Sequence, residues 1–278
     1  QIIGVEPSKS VADVAIKNNI PTINNFFNTK TVQDLKEFLG KTDLICASNV
    51  ICHVPDLNNL MEAVDLLLSK DGTFVFEEPY LGSMFEKVSY DQIYDEHIYM
   101  FSASSISKIF QRYNLHLIDA IPQITHGGSM RYIIKRKKNE NENNLVNIFD
   151  YENKKKLNKI EACIEFKNNC EASKKKILDK IKSIKEKGGS ICGYAATSKS
   201  TTILNYCNIG TNYIDYICDT TKEKIGKFSP GMHIPIKDMD HFHNNMKDFV
   251  YLFAWNHKDE IFNKEKNFKG KWISHVEL

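Results

Sequence analysis

Hydrophobic and polar positions in the first 135 residues alternate between two periodicities. Short apolar or β-branched runs, typical of buried strands, occur at Ile2–Val5, Asp43–Ala47, Thr73–Phe76 and Leu115–Ile121. Segments with helical periodicity lie between these runs, at about Ser8–Asn18, Lys30–Leu39, Leu57–Lys70 and Ser102–Tyr113. Strands separated by segments of helical length predict βαβ units, and therefore a parallel sheet.

The last two strands of this region follow a different pattern. The runs His116–Ile121 and Met130–Arg136 are joined by a short loop that contains His126, Gly127 and Gly128. Because no helix fits between them, these strands are predicted to pair antiparallel. A parallel α/β sheet that ends in an antiparallel hairpin is typical of class I methyltransferases, whereas dehydrogenase-type sheets usually stay parallel throughout.

The second half of the chain predicts a long helix and a further α/β unit. Residues 137–149 are polar and of low complexity at their start, which indicates a linker, and a helical stretch follows over Tyr151–Lys187. Beyond Gly188 and Gly189, apolar runs predict strands at Ser190–Ala195, Tyr213–Cys218, Phe249–Ala254 and Lys271–Val276. We therefore predict three parts: a Rossmann domain over 1–136, a linker and long helix over 137–189, and a smaller Rossmann-like domain over 190–278.

Composition excludes several classes of protein. Hydrophobic residues make up 42% of the 278 residues and charged residues 26%, which excludes a mainly disordered chain. The 37 basic and 35 acidic residues nearly balance, so no strong field favours nucleic acid. No apolar run reaches the roughly 18–20 residues of a membrane span. The seven cysteines contain no CxxC pair, which argues against a disulfide framework or a metal site within this chain and favours a reducing cytoplasm.

Three residues at predicted strand ends are candidates for cofactor binding. Glu6 follows the first strand, where an acidic side chain commonly accepts hydrogen bonds from ribose hydroxyls; a favourable charge at a helix N-terminus explains it equally well. Asn49 and His53 follow the second of the four strands, although a histidine there is more often structural. No glycine-rich strand-to-helix turn precedes Glu6.

The densest polar cluster follows the strand Thr73–Phe76. Within four residues, Tyr94, Glu96 and His97 supply a phenol, a carboxylate and an imidazole, which are the groups of a proton-transfer site. A polar loop without catalytic function is the alternative. The cluster therefore predicts acid–base chemistry only together with further observations.

The chain resembles a family of sugar C-methyltransferases over essentially its whole length. The resemblance is carried, in this order, by GVEPS, ASNVICHVPDL, FEEPYLGSMFEKVSYDQIYDEHIYMFS, HGGSMRYII, CGYAATSKSTTILNY, FSPGMHIPI and WNHKDEI. It implies an S-adenosylmethionine-dependent enzyme of deoxysugar biosynthesis that acts on nucleotide-linked keto sugars. It also implies an N-terminal zinc module, a methyltransferase domain and a C-terminal substrate domain. The zinc module and the first strand and glycine loop of the methyltransferase domain are missing, so we expect a fragment that binds the cofactor poorly.

By this resemblance, His97 is the general base, and Tyr94 and Glu96 orient the base and the substrate. Substrate contacts are implied for Tyr80, His126, Arg131, Ser198, Lys199 and His233. Simpler explanations remain open, since Ser198 and Lys199 lie where a helix cap is expected, and tight turns explain the glycines beside His126. Asp95 stands where the family usually has histidine, and Ala195 and Ser200 each replace an expected glycine.

The leading hypothesis is C-methylation of a nucleotide-linked 4-keto deoxysugar through an enolate. A sugar carbon has no lone pair, so a base must first remove the proton next to the ketone. The alternatives are sugar O-methylation on the same scaffold and a non-catalytic nucleotide-sugar-binding protein; a nicotinamide-dependent dehydrogenase is disfavoured. We expect a cytoplasmic protein that binds a nucleotide sugar but neither nucleic acid nor membrane. The sugar, the nucleotide and the oligomeric state stay open.

Overall fold

A computed structural model describes residues 2–138 and 143–277. The strands are β1 (Gly4–Val5), β2 (Thr22–Ile23), β3 (Thr42–Ser48), β4 (Leu68–Pro79), β5 (His116–Gln123), β6 (Ser129–Lys135), β7 (Ile191–Tyr194), β8 (Ile217–Cys218), β9 (Ile236–Lys237), β10 (Phe249–Leu252) and β11 (Lys271–Ile273). The α-helices are α1 (Lys9–Lys17), α2 (Thr29–Leu39), α3 (Leu57–Leu67), α4 (Leu81–Lys87), α5 (Ala103–Gln111), α6 (Asn143–Lys154), α7 (Ile160–Glu186), α8 (Ser198–Cys207), α9 (Met239–Asn244) and α10 (Lys258–Lys264). Short 3-10 turns lie at Ile51–His53, Tyr90–Gln92, Thr125–Gly127 and Trp255–His257.

The chain divides into two compact units. The first contains the described residues within Gln1–Glu78, Ile98–Gln123 and Ser129–Lys154. The second contains Pro79–His97, Ile124–Gly128 and the described residues within Lys155–Leu278. The segment that carries Tyr94 and His97 therefore groups with the C-terminal part of the chain. The predicted ranges 1–136, 137–189 and 190–278 remain a prediction about domains.

The main sheet of the first unit has the strand order β3-β4-β6-β5. β3 and β4 are parallel, and β5 and β6 form the predicted antiparallel hairpin. The hairpin returns its last strand to the inside, so that β6 lies between β4 and β5. β1 and β2 pair with each other in a separate two-stranded parallel sheet.

Alternation along β4 and β6 buries one face of this sheet. Phe74 and Phe76 of β4 stack on each other at 4.9 Å between ring centroids. Phe76 also contacts Phe110 of α5 and Tyr132 of β6, and all four rings are almost completely buried. Such a cluster of rings ties α5 to the strands whose carboxyl ends carry the polar candidates.

The second unit contains a five-stranded sheet in the order β11-β10-β7-β8-β9, in which every neighbouring pair is parallel. This order confirms the predicted second Rossmann-like unit. The strand order reverses between β7 and β10, and ligands of such sheets bind outside the carboxyl ends of the strands at that point. The crevice after β7 and β10 is therefore the first place to look for a site.

Two helical predictions need correction. The stretch Tyr151–Lys187 is not one helix, because α6 ends at Lys154 and α7 begins at Ile160. Lys156 between them has a left-handed backbone with φ of 53°, which a continuous helix does not allow. The predicted linker 137–149 is also partly helical, since α6 begins at Asn143; its residues 139–142 lie outside the described residues.

Among the helices of the described ranges, none is both long and apolar enough to cross a bilayer.

Candidate active site

His97 is held by a hydrogen bond on each ring nitrogen. Its Nδ1 lies 2.8 Å from the carbonyl oxygen of Gln92, and its Nε2 lies 2.8 Å from the hydroxyl of Tyr94. The two rings also pack together, with 4.0 Å between their centroids. The histidine and the tyrosine are half-buried, whereas Glu96 is exposed. The structure thus brings two of the three predicted catalytic residues into direct contact.

These two contacts determine the tautomer of the neutral ring. A carbonyl oxygen can only accept, so Nδ1 of His97 must carry the hydrogen and donate it to Gln92. The lone pair of Nε2 then accepts the hydrogen bond from the Tyr94 hydroxyl. The imidazole can therefore take up a proton at Nε2 without losing the hydrogen bond that orients it.

The turn that supplies the Gln92 carbonyl is anchored by Asp91. The Asp91 side chain is fully buried, and its Oδ2 accepts a 2.7 Å hydrogen bond from the indole Nε1 of Trp255. Its Oδ1 lies 3.2 Å from Nε2 of His275, without the alignment of a hydrogen bond. Trp255 follows β10 and His275 follows β11, so the turn lies at the carboxyl ends of the second unit's strands.

Lys199 also lies beyond the carboxyl ends of β7 and β10. Its side chain points inwards from α8, is only 8% exposed, and places Nζ 3.1 Å from Oδ1 of Asn256. Nζ also lies 5.1 Å from the centre of the Trp255 ring. Burial lowers the pKa of Lys199, and the charge of Asp91 partly opposes that shift. α8 follows β7 and Asn256 follows β10, so this contact spans the point where the strand order reverses.

The other substrate candidates of the second unit are dispersed. Thr197 rather than Ser198 caps α8, since its side chain accepts from the Ser200 N–H, and Ser198 itself is exposed. Tyr80 is buried, and its N–H donates to the carbonyl of Gly128 in the hairpin loop. His233 lies on a loop and has φ of 52°.

The hairpin loop is fitted closely against Trp255. Gly127 has φ of +84°, and a Cβ at this position would overlap the indole ring. The ammonium of Lys87 donates to the Gly127 carbonyl. His126, next to it, is half-buried with φ of 53°. The positive φ of Gly127 agrees with the tight turn that the sequence offers as the simpler explanation, and the Trp255 ring gives a second reason for glycine here.

In the first unit, buried Glu78 organises the turn that follows β3. Its Oε1 accepts from the N–H groups of Val50 and Ile51 at 2.9 and 2.7 Å. Asn49, at the start of this turn, has φ of 53°, and its Oδ1 is buried with no hydrogen-bond partner in the described part of the chain. His53 ends the same turn.

Two further candidates of the first unit already have protein partners. Glu6 accepts from the N–H of Ser8 at 2.7 Å, which is the helix N-terminal role considered as its alternative. Arg131 forms a 3.0 Å ion pair with Glu77. A cavity of about 390 Å³ beside this ion pair is lined by Cys46–Ser48, Val75–Glu77 and Arg131.

Comparison with known families agrees with this architecture. Residues 1–120 match the family described as a methyltransferase domain, and residues 124–276 match the C-methyltransferase C-terminal domain. The second match alone covers more than half of the chain. The protein belongs to the C-methyltransferase family. This confirms the predicted class I methyltransferase-like fold and S-adenosylmethionine as the cofactor of the family.

A curated relative covers nearly the whole chain. C-methyltransferase NovU of Streptomyces niveus is 27% identical over 270 residues, which are 96% of this chain and 64% of the relative. The chain therefore spans just under two thirds of the length of the C-methyltransferase that it matches.

Solved structures give weaker likenesses. A SAM-dependent methyltransferase from Anabaena variabilis shares 18% identity, with a TM-score of 0.40 over 49% of this chain and 68% of its own. An S-adenosylmethionine-dependent methyltransferase from Clostridium acetobutylicum shares 14%, with a TM-score of 0.36 over 48% and 74%. With scores this low, neither likeness supports any statement about the site.

The polar groups of the first unit suit S-adenosylmethionine. The cofactor carries ribose hydroxyls and an ammonium group, all of them donors, and the unpaired Oδ1 of Asn49 is a buried acceptor in the described part of the chain. Glu6 has a second carboxylate oxygen besides the one that accepts from Ser8. Acceptors at the carboxyl ends of β1 and β3 therefore fit the donors of the cofactor.

Sequence patterns alone did not select Asp91, His275 or Glu78 as site residues. Asp91 stands in the polar segment already noted, but nothing in its local spacing shows that its side chain is buried against residues more than 160 positions away. Glu78 could have been suspected, because two adjacent glutamates end a buried strand and the apolar alternation of β4 places the second on the buried face.

Proposed function

We propose that this protein transfers a methyl group from S-adenosylmethionine to a carbon of a nucleotide-linked 4-keto deoxysugar, with His97 as the base that forms the enolate. The observation that carries the proposal is the pair of contacts on His97, which leaves its Nε2 unprotonated and oriented. An unprotonated ring nitrogen held in one orientation is what removal of a proton from carbon requires.

The chemistry of His97 is a single proton transfer. Nε2 accepts the proton from the carbon next to the ketone, and the electron pair of the broken C–H bond moves into the enolate. Nδ1 keeps its hydrogen bond to Gln92 throughout, so the ring does not have to turn. A positioned base of this kind contributes about 10²–10⁴-fold to the rate.

Tyr94 supplies the donor next to the base. Its hydroxyl hydrogen can rotate from Nε2 to the ketone oxygen when Nε2 takes up the proton, since a phenol has one rotatable O–H. Negative charge develops on that oxygen in the enolate, and a positioned donor stabilises it. Glu96 is proposed to assist from the same segment, as the family resemblance implies.

When bound, S-adenosylmethionine supplies an electrophilic methyl group to the nucleophilic carbon. Glu6, Asn49 and His53 are proposed to hold it at the carboxyl ends of β1 and β3. Asn49 has the clearest reason, because its Oδ1 is a buried acceptor without a partner in the described residues.

A nucleotide sugar is the substrate class that the second unit supports best. Lys199 and Ser198 lie after β7, at the point where a Rossmann sheet binds its ligands. A buried ammonium and the N-terminus of a ten-residue helix suit a diphosphate. Tyr80, His126, Arg131 and His233 remain proposed contacts to the sugar. A cytoplasmic location is part of the proposal.

Hydrogen exchange at carbon tests this proposal. The protein and a nucleotide-linked 4-keto deoxysugar are incubated in D₂O, and deuterium uptake next to the ketone is followed by NMR. We expect exchange with the unaltered protein and its loss in His97→Ala, whereas His257→Gln, a change of an exposed histidine, keeps it. Methyl transfer to the sugar without any such exchange would contradict the enolate and favour O-methylation.

A further inference from the structure

The buried carboxylate of Asp91 is one of the polar groups that the proposed chemistry leaves unused. Its side chain has no exposure, which is rare for an acid unless its charge is compensated. The compensation comes from three sides: the Trp255 N–H at 2.7 Å, His275 Nε2 at 3.2 Å, and the nearby ammonium of Lys199. Burial raises the pKa of this carboxyl, but His275, Lys199 and Trp255 together hold it below its usual range.

The three partners lie just beyond the carboxyl ends of strands of the Rossmann sheet. Trp255 follows β10, His275 follows β11, and Lys199 lies in the first turn of α8 after β7. Lys199 is in turn held by Asn256, and His275 by the hydroxyl of Tyr251 at 3.3 Å. Asp91 is therefore hydrogen-bonded to the residue that follows β10 and interacts electrostatically with residues that follow the neighbouring strands β11 and β7.

The position of the turn that contains Asp91 determines where the Gln92 carbonyl, the acceptor for His97, lies. Asp91 is the middle residue of the turn Tyr90–Gln92, and the Gln92 carbonyl is the acceptor for Nδ1 of His97. The side chain of Gln92 donates to Ser89 beside the same turn, and the Tyr90 ring packs on His275 with 5.0 Å between centroids. Moving the turn would move the carbonyl that orients the imidazole.

We propose that Asp91 is a positioning residue, which holds the Gln92 carbonyl in place and thereby selects the Nδ1–H tautomer of His97. The expected effect of Asp91 on methyl transfer rests on the proposed function. Its effect on the tautomer of His97 does not depend on that function. It acts as the acid of a catalytic triad acts on its histidine, but through a backbone carbonyl instead of by direct contact.

The experiment measures the tautomer and the reaction separately. Histidine labelled with ¹⁵N gives ring shifts that report which nitrogen carries the hydrogen, and His97 is assigned from the signals missing in His97→Gln. In the unaltered protein we expect the Nδ1–H form. In Asp91→Asn we expect a mixture of tautomers, a kcat for methyl transfer lower by about 10- to 100-fold, and a nearly unchanged KM.

Two further variants keep the test decisive. Trp255→Phe removes one N–H from Asp91 and retains most of the ring, so it should shift the same signals in the same direction even if Asp91→Asn does not fold. Asp259→Asn, an exposed change in the same unit, should alter neither readout. Unchanged His97 shifts in both Asp91→Asn and Trp255→Phe would overturn the positioning role. Shifted ¹⁵N signals of His97 with no change in the rate of methyl transfer would instead contradict the proposal that His97 is the base.

Discussion

The hydroxyl of Tyr94 lies 2.8 Å from Nε2 of His97, the ring nitrogen that carries no hydrogen in the neutral state. The two residues are three positions apart, in a segment that groups with the C-terminal Rossmann unit although it precedes that unit in the chain. The proposed base and the proposed donor thus belong to the same unit as the sheet whose strand ends are followed by Lys199 and Trp255.

Removing the Tyr94 hydroxyl tests its role as a donor. In Tyr94→Phe the ring stays and the O–H is lost, so the charge on the enolate oxygen loses one stabilising contact. We expect kcat for methyl transfer to fall by about 10²-fold, as for the loss of one oxyanion donor, with little change in KM. Steady-state kinetics at several substrate concentrations separate the two constants.

The double variant gives the matching control. If the tyrosine acts only together with the base, Tyr94→Phe should cost almost nothing further in a His97→Ala background, because residues that act as a unit are not additive. Additive losses would mean that the hydroxyl has a separate function, and the proposed pairing of donor and base would be wrong.

Local patterns predict much of this fold, and the failures have a common cause. The hairpin around Gly127 depends on neighbouring residues and is confirmed. The βαβ alternation is confirmed in part, because β1 pairs with β2, a strand that the pattern does not predict, in a sheet separate from β3 and β4. The position of β6 between β4 and β5 depends on pairing across some 50 residues, which periodicity does not report. Likewise, the break between α6 and α7 contains neither Gly nor Pro, so no local signal marks it.

The candidate site shows the same limit. Tyr94 and His97 are close enough in sequence for their contact to be expected on one turn. The partners of Asp91 follow β10 and β11, and only the folded sheet brings them together. The burial of Asp91 is therefore visible only after folding, whereas the alternation of β4 already indicates that Glu78 lies on the buried face.

Glu78 is expected to be among the largest single contributors to the stability of the first unit. Glu78→Ala removes the acceptor of the Val50 and Ile51 N–H groups from a buried turn and with it the support of the segment before His53. We expect a loss of about 2–5 kcal/mol in the free energy of unfolding. Urea denaturation measures it, and Glu37→Ala, an exposed change on α2, should cost less than about 1 kcal/mol.

Lys199 should make the free energy of unfolding vary with pH in the alkaline range. Burial lowers its pKa below the usual 10.5, so the folded protein releases this proton at a lower pH than the unfolded chain. Between those two pH values the unfolded chain binds more protons, and the free energy of unfolding rises with pH. Relative to Lys199→Met, the stability of the unaltered protein should therefore rise as the pH approaches 10.5 from below.

Arginine provides the matched comparison for this prediction. Lys199→Arg keeps a positive charge but does not titrate in this range, so it should show the same rising difference as Lys199→Met. Urea denaturation of the three proteins at several alkaline pH values gives both differences. A flat difference for both variants would show that burial does not shift this lysine.

Alanine substitutions at two glycines with positive φ distinguish the cost of backbone strain from the cost of lost packing space. Gly127 has φ of +84° and lies against the Trp255 ring, whereas Gly188 has φ of +77° and open space where a Cβ would lie. Alanine at either position costs about 1–2 kcal/mol for the left-handed backbone. At Gly127 the added methyl also overlaps an indole that Asp91 holds by its N–H, so it cannot move aside freely. We expect Gly127→Ala to cost at least about 1–3 kcal/mol more than Gly188→Ala.

Thermal unfolding compares the stability of the two variants, and Trp255 fluorescence in a Trp272→Phe background reports whether the ring has moved. Equal losses of stability would mean that the loop yields to the methyl group and that Trp255 is not fixed as described.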